Sequence, residues 1–170
     1  MVTINSSCYA SIMKKIYLPM IKIPFKSKRG TVKLNALIDS GSEKSYISSA
    51  CLQKIDKRLM STCDMTISGL GGENMSGEFK SFECVMKKSK KEAINAMFVS
   101  IDTLAEANQC EFSEDVHLKN GEKFRYESGP IEAIVGNDNY FRVVTGEMLS
   151  KKLAAIKTVA GWTLQGSVGD

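Results

Sequence analysis

The chain is 170 residues long and 43% hydrophobic, and its 23 Lys and Arg against 19 Asp and Glu give a net charge of +4. That is ample apolar material for one packed domain, and a charge so near balance demands neither a nucleic-acid nor a membrane partner. No stretch approaches the roughly 18 to 20 consecutive apolar residues of a membrane-spanning helix.

Residues 1–15, MVTINSSCYASIMKK, lack the long apolar centre of a signal peptide and read as an extension or linker ahead of a domain at 16–170. From Ile16, IYLPMIKIPF alternates at its end, with Ile21, Ile23 and Phe25 on one face and Lys22 and Pro24 on the other, as in an edge strand that tolerates proline. KSKRG supplies a turn. TVKLNALID then alternates again, setting Val32, Leu34, Ala36 and Ile38 against Lys33, Asn35, Leu37 and Asp39. The two runs make a hairpin, and Asp39 leaves its far end. YISSACLQKIDKRL changes period: Leu52, Ile55 and Leu59 share one helical face, with Ser48 or Ser49 as N-cap. CDMTIS, the turn GLGGEN and GEFKSFECVM, in which Phe82, Cys84 and Met86 share a face, predict a second hairpin with a glycine-rich tip.

EAINAMFVSI at 92–101 is apolar on both faces and reads as a buried strand. Residues 102–128 are polar and form a long loop or small insertion. PIEAIVGNDNYF is an apolar strand ending at Gly136, with Asn137 and Asp138 opening a helix. LSKKLAAIKT has helical spacing, and TVAGWTLQG, which carries the single tryptophan Trp162, is strand-like. Short strands in hairpins with few short helices define an all-β class.

The five cysteines, Cys8, Cys51, Cys63, Cys84 and Cys110, are odd in number and not closely paired. That argues against a disulfide framework or a zinc site and fits a reducing compartment. The single histidine, His117, sits in the polar stretch SEDVHLKNGEK, so no serine or cysteine triad can be argued around it. The basic clusters Lys26-Ser27-Lys28-Arg29-Gly30 and Lys87-Lys88-Ser89-Lys90-Lys91 lie between apolar runs and read as solvated turns. GLGGEN is no phosphate loop, because it runs from strand to strand rather than from strand into helix.

The stretch that demands chemistry is LNALIDSGSEKSYIS at 34–48. A carboxylate is costly to bury unless paired or hydrogen-bonded, so an acid delivered by an apolar strand needs a reason. Asp-Ser-Gly is ordinary turn chemistry taken alone. Here, however, Ala36-Leu37-Ile38 fixes the acid on a rigid element, Gly41 lets another backbone approach, and the glycine-rich tip Ser68-Gly69-Leu70-Gly71-Gly72 is suited to a mobile cover. Ile131–Val135 ends in Gly136 and suits a segment that threads beside the acid's loop.

ALIDSGS, a glycine-rich hairpin and AIVGND, in that order, resemble the retropepsin-like aspartic proteases. With the late GWTLQG, the series resembles more narrowly the protease domain of Bel/Pao retrotransposon polyproteins, over roughly residues 16–168. The resemblance implies an all-β retropepsin-like barrel of hairpins with one or two short helices, one lobe per chain, and residues 102–128 as an insertion. It implies Asp39 as the catalytic aspartate, Ser40 bonding across two active-site loops, and Gly41 and Ser42 keeping those loops close. Ile134, Val135 and Gly136 become the supporting strand, and Ser68 to Gly72 the flap.

Aspartic proteolysis needs two carboxylates sharing one proton, one activating water and the other hydrogen-bonding the scissile carbonyl. The chain holds no second Asp-Ser/Thr-Gly, so the expected assembly is a homodimer with Asp39 of each copy at the two-fold axis. In this family the termini commonly interleave into an interface sheet, and GWTLQG is placed for that role or for the core. The expected partners are a second copy and a peptide or polyprotein substrate, with no cofactor, metal, membrane or direct nucleic acid. The expected setting is the cytoplasm or an intracellular virus-like particle. The rival reading is a catalytically silent module that keeps the fold for dimerisation or interaction.

Overall fold

The computed structural model describes residues 2–5, 15–69, 74–104, 111–149 and 153–168. Its elements in chain order are β1 (Val2–Asn5), β2 (Lys15–Tyr17), β3 (Met20–Ser27), β4 (Gly30–Ile38), β5 (Tyr46–Ser48), α1 (Ser49–Leu52), β6 (Lys57–Ser68), β7 (Asn74–Lys87) and β8 (Ala93–Ile101). There follow β9 (Ser113–Leu118), β10 (Lys123–Glu127), β11 (Ala133–Val135), α2 (Asn137–Val143), β12 (Val144–Leu149), β13 (Leu153–Thr158) and β14 (Gly161–Val168). Strands take 65% and helices 8% of the structure, so the chain is all-β.

The main sheet has the order β3-β4-β11-β5-β8-β7-β6. Alternation in β3 and β4 buries Ile23 and Phe25 against Leu34, Ala36 and Ile38, and Gly30 at φ 120° lets the Lys28–Arg29 turn close. β3 lies at the margin of the sheet, where the missing N–H of Pro24 costs little. A further pairing of Phe25 with Met86 joins β3 to β7 and closes the sheet around a core that includes Ile47, Cys84, Phe98 and Val135. β11 lies between β4 and β5, parallel to the first and antiparallel to the second, so the strand after residue 132 threads between the two arms that flank the Asp39 loop.

A second layer is built from the four-stranded sheet β12-β13-β14-β2 and the three-stranded sheet β1-β9-β10. Much of 102–128 is thus a folded hairpin, β9–β10, and residues 105–110 lie outside the described part. Its Val116, Leu118 and Tyr126 pack with Tyr17, Leu153 and Leu164. The Tyr17 and Tyr126 rings meet edge to face at 5.2 Å, and the Tyr126 hydroxyl donates to the Leu18 carbonyl at 2.8 Å. Among the described residues no helix is long and apolar enough to cross a membrane.

Four local expectations need correction. The helix after residue 45 is the single turn α1, capped by Ser48, whose hydroxyl accepts the Cys51 N–H. It stops because Asp56 N–H is captured by the Lys26 carbonyl at 2.8 Å and Lys57 begins pairing with Cys84. Ile55 is buried as expected, whereas Leu59 stands on β6, 54% exposed. β8 buries Ala96 and Phe98 on one face, while the other exposes Ala93, Asn95 and Met97 and buries Val99 and Ile101, so only its second half is covered on both faces. The helical spacing of LSKKLAAIKT yields to β12 and β13, because β13 is hydrogen-bonded on both sides and that outweighs alanine's helix preference. TVAGWTLQG is split by the turn Val159–Ala160, and β14 pairs with β13 from Gly161 to Gly166 and with β2 from Gly166 to Val168. Trp162 is half-buried against the second core, with Lys157 Nζ 5.2 Å from its ring centre.

Candidate active site

Asp39 is the first residue beyond β4, and its N–H extends the ladder by one step, donating to the Val135 carbonyl at 3.0 Å. One carboxylate oxygen, Oδ1, accepts the Gly41 N–H at 2.9 Å, and the Ser42 N–H reaches the Asp39 carbonyl at 3.3 Å. The acid is half-buried at the mouth of a tight turn, its backbone fixed by two strands. Ser40 and Gly41 are exposed, and the Ser40 hydroxyl has no hydrogen-bond partner among the described residues. The Ser42 hydroxyl donates to the Lys44 carbonyl at 2.8 Å.

Gly136 explains why the strand beside this loop ends as it does. A Cβ there would lie 2.2 Å from the Lys44 carbonyl oxygen and 2.9 Å from that of Ser42, both backbone atoms with little room to yield. The close approach lets Asn137 N–H donate to the Ser42 carbonyl at 2.7 Å and Asp138 N–H to that of Glu43 at 3.3 Å. Val135 is fully buried in the main core. Ile134 points the other way and joins an apolar cluster with Tyr46, Ile131, Val99, Ile101 and Leu104.

The residue at the centre of this junction was not singled out from the sequence. Ser45 is fully buried, and its hydroxyl donates to Asp138 Oδ1 at 2.6 Å while accepting from Gly136 N–H at 2.9 Å and Asn139 Nδ2 at 3.0 Å. Its N–H goes to Asp138 Oδ2 at 3.1 Å, and Asn139 Nδ2 also reaches the Met97 carbonyl at 3.0 Å. Asp138, expected only as a helix opener, therefore spends both oxygens on Ser45. The one signal for this cluster is the run Asn137-Asp138-Asn139 directly after Gly136, three hydrogen-bonding side chains at a helix start. Glu132 plays a similar part at the start of β11: its Oε2 accepts the Asn35 N–H at 2.9 Å, and its Oε1 takes the Cys51 thiol at 3.4 Å. Burial pushes the Cys51 thiol above its ordinary value. Burial, with Glu43 and Asp138 close by, likewise raises the Tyr46 phenol.

The hairpin of β6 and β7 pairs continuously from Ser61 with Ser81 to Ser68 with Asn74. Register places Cys63, Met65 and Ile67 with Phe79 on one face, and Met65, Ile67 and Phe79 pack into the same apolar cluster as Ile134. The underside of the hairpin and the strand that supports the Asp39 loop thus share one apolar wall. Ser68 and Gly69 are exposed at the end of β6, while Leu70, Gly71 and Gly72 lie outside the described residues. Cys51, Cys63 and Cys84 are free thiols, and no trio of His, Cys, Asp or Glu among the described residues is arranged to hold a metal ion.

Chemically, the site offers one carboxylate on a rigid loop, an unpartnered hydroxyl next to it, and an apolar wall under a long hairpin. Asp138, the acid at the head of α2, spends both oxygens on Ser45 rather than on Asp39. No protein-family model, curated protein or solved structure matches this chain.

Proposed function

We propose that the chain is a retropepsin-like aspartic endopeptidase of the kind found in retrotransposon polyproteins, in which Asp39 of two copies forms the catalytic pair. The observation that carries this reading is the threading of β11 between β4 and β5, with Asp39 N–H tied to the Val135 carbonyl. That arrangement holds one acid at a fixed place on a loop open to a second copy. The hairpin β6–β7 packed on the apolar wall supports the same reading, as does the Asp39 carboxylate having the Gly41 N–H, and no acid, as its hydrogen-bond partner among the described residues.

In the assembled pair the ionised Asp39 takes a proton from water, which attacks the peptide carbonyl, and the protonated Asp39 of the other copy hydrogen-bonds the carbonyl oxygen. The Ser40 hydroxyl, unpartnered within one chain, bonds to the opposite loop. The apolar wall of Tyr46, Ile134 and Phe79 receives apolar substrate side chains, and the hairpin excludes water above them. The compartment implied is the cytoplasm or an intracellular virus-like particle.

The test pairs cleavage of polyprotein-derived peptides with the state of association. Specific activity should climb with protein concentration as dimers form, a statine-type transition-state mimic should inhibit, and Asp39→Asn should lower kcat/KM by about 10³-fold or more with the fold intact. Cleavage unaffected by Asp39→Asn would sink the proposal. A dimer that cleaves nothing would favour the silent interaction module instead.

A further inference from the structure

The two lysine-rich turns, remote from each other in sequence, meet in space. The turn Lys28–Arg29 joins β3 to β4, residues 88–92 join β7 to β8, and Phe25 pairs with Met86 where the two hairpins touch. Lys87 crosses the seam, its Nζ donating to the Gly30 carbonyl at 3.3 Å and to the Thr31 hydroxyl at 2.6 Å. The link from α1 into β6 forms a third side, held by Asp56 N–H on the Lys26 carbonyl. Between the first turn and this link lies a cleft of about 490 Å³ lined by Lys28, Arg29, Lys54 and Lys57 together with Ser27 and Gln53.

Charge is strongly segregated here. Lys26, Lys28 and Arg29 come from one turn, Lys87, Lys88, Lys90 and Lys91 from the other, and Lys54 and Lys57 from the link, nine cations in all. The only carboxylates in these three segments are Asp56 and Glu92, which sit 3.9 Å from Lys26 and 3.2 Å from Lys88. Seven cations remain without a carboxylate partner among the described residues, more than the net charge of +4 of the whole chain, so the rest of the molecule is net negative. Crowding like charges on one face has a cost that a bound polyanion removes.

The same segments contain no aromatic residue, and their one large apolar side chain, Ile55, is buried. The face therefore has no platform on which bases stack and no wedge to enter a bilayer. We propose that it binds the phosphodiester backbone of nucleic acid without base preference. Nine residues of β4 separate the turn from Asp39, roughly 25 to 30 Å at about 3.3 Å per strand residue. Binding is therefore independent of the peptidase chemistry.

The test is fluorescence anisotropy of the full chain with a labelled mixed-sequence RNA of about 20 nucleotides. With about four phosphates engaged, the affinity for single strands should fall roughly 50-fold between about 50 and 200 mM salt. Lys28→Glu with Arg29→Glu and Lys90→Glu should weaken binding at least tenfold. The same reversal at Lys119 and Lys123, exposed on the β9–β10 hairpin, should leave it unchanged. If the triple variant fails to fold, Lys28→Gln with Lys90→Gln and Lys91→Gln carries the test, with a loss of about threefold or more. Asp39→Asn should bind RNA like the parent, so RNA binding and proteolysis succeed or fail separately. Absence of saturable binding at about 50 mM salt, affinity indifferent to the basic-face variants, or binding to phosphatidylserine vesicles but not RNA would overturn the proposal.

Discussion

Residues 39–45 are tied to the head of α2 by the Ser42 and Glu43 carbonyls and by four hydrogen bonds converging on the buried Ser45. The outer part of the β6–β7 hairpin, from Ser61 to Ser81, has a regular ladder but few buried side chains, and Thr62, Cys63, Asp64, Thr66 and Ser76 are all exposed. Both segments belong to the same candidate site. The contrast is between a floor held by buried polar groups with no slack and a cover held by backbone pairing and one apolar edge. Local opening costs least where few apolar contacts are lost, so the outer hairpin should open more readily than the junction at Ser45.

Breaking the floor should have the largest effect. Gly136→Ala sets a methyl 2.2 Å from a backbone oxygen, and the loop cannot retreat without losing its bonds to Asn137 and Asp138. The expected loss is about 3 kcal/mol or more, a fall in Tm of about 6 to 12 °C for a chain of this size, measurable by calorimetry. A fall under about 2 °C would mean that the loop yields after all. Ser45→Ala comes next. It removes a donor to Asp138 and leaves the buried Gly136 N–H and Asn139 amide without their acceptor, so about 2 to 3 kcal/mol should be lost in urea unfolding.

The strands that lead to Asp39 were legible because alternation is strict where one face is buried: Ile23, Phe25, Leu34, Ala36 and Ile38 are all inside. The small-residue turn and the strand ending at Gly136 were legible for a related reason, since special backbone geometry selects glycine. Ser45, Asp138 and Asn139 carry no period, and their importance arises only when residues more than ninety positions apart are brought together. The alanine-rich run at 153–157 misled because pairing on both sides decided its conformation, and pairing is non-local. The basic turns are exposed, as read, but their meeting on one face was not legible. A net charge sums over the molecule, whereas the fold sorts it onto one face.

The hairpin carries an internal version of the same comparison in its two thiols. Cys84 stands where β7 enters the core, fully buried, and burial pushes its thiol up to about 12, while Cys63 on the outer half of β6 is exposed. Below about pH 9 both folded and unfolded chains keep the Cys84 proton. Above it the unfolded chain loses the proton and the native chain retains it, so stability falls by about 1.4 kcal/mol for each further pH unit until about pH 12. Tyr126, also raised by burial to about 12, adds a second loss that begins near pH 10. Cys84→Val should remove most of the earlier component, leaving the share of Cys51, and keep the later one in alkaline unfolding curves. At neutral pH, a thiol reagent should modify Cys63 long before Cys84, and equal rates would contradict the division of the hairpin into buried and open halves.

The smallest effect on global stability should come from the outer hairpin itself. Thr66 and Ser76 face each other across the ladder with hydroxyl oxygens 2.8 Å apart, both exposed to water that can replace the bond. Thr66→Ala should change the unfolding free energy by no more than about 0.5 kcal/mol. Its effect belongs to opening of the hairpin alone, where the reference state keeps the core and only the eight outer pairs separate. Amide exchange at residues 61–68 should therefore quicken in Thr66→Ala while exchange at Asp39 and Ser42 is unchanged. If exchange at Asp39 and Ser42 quickens equally, floor and cover open as one unit, and the contrast between them fails.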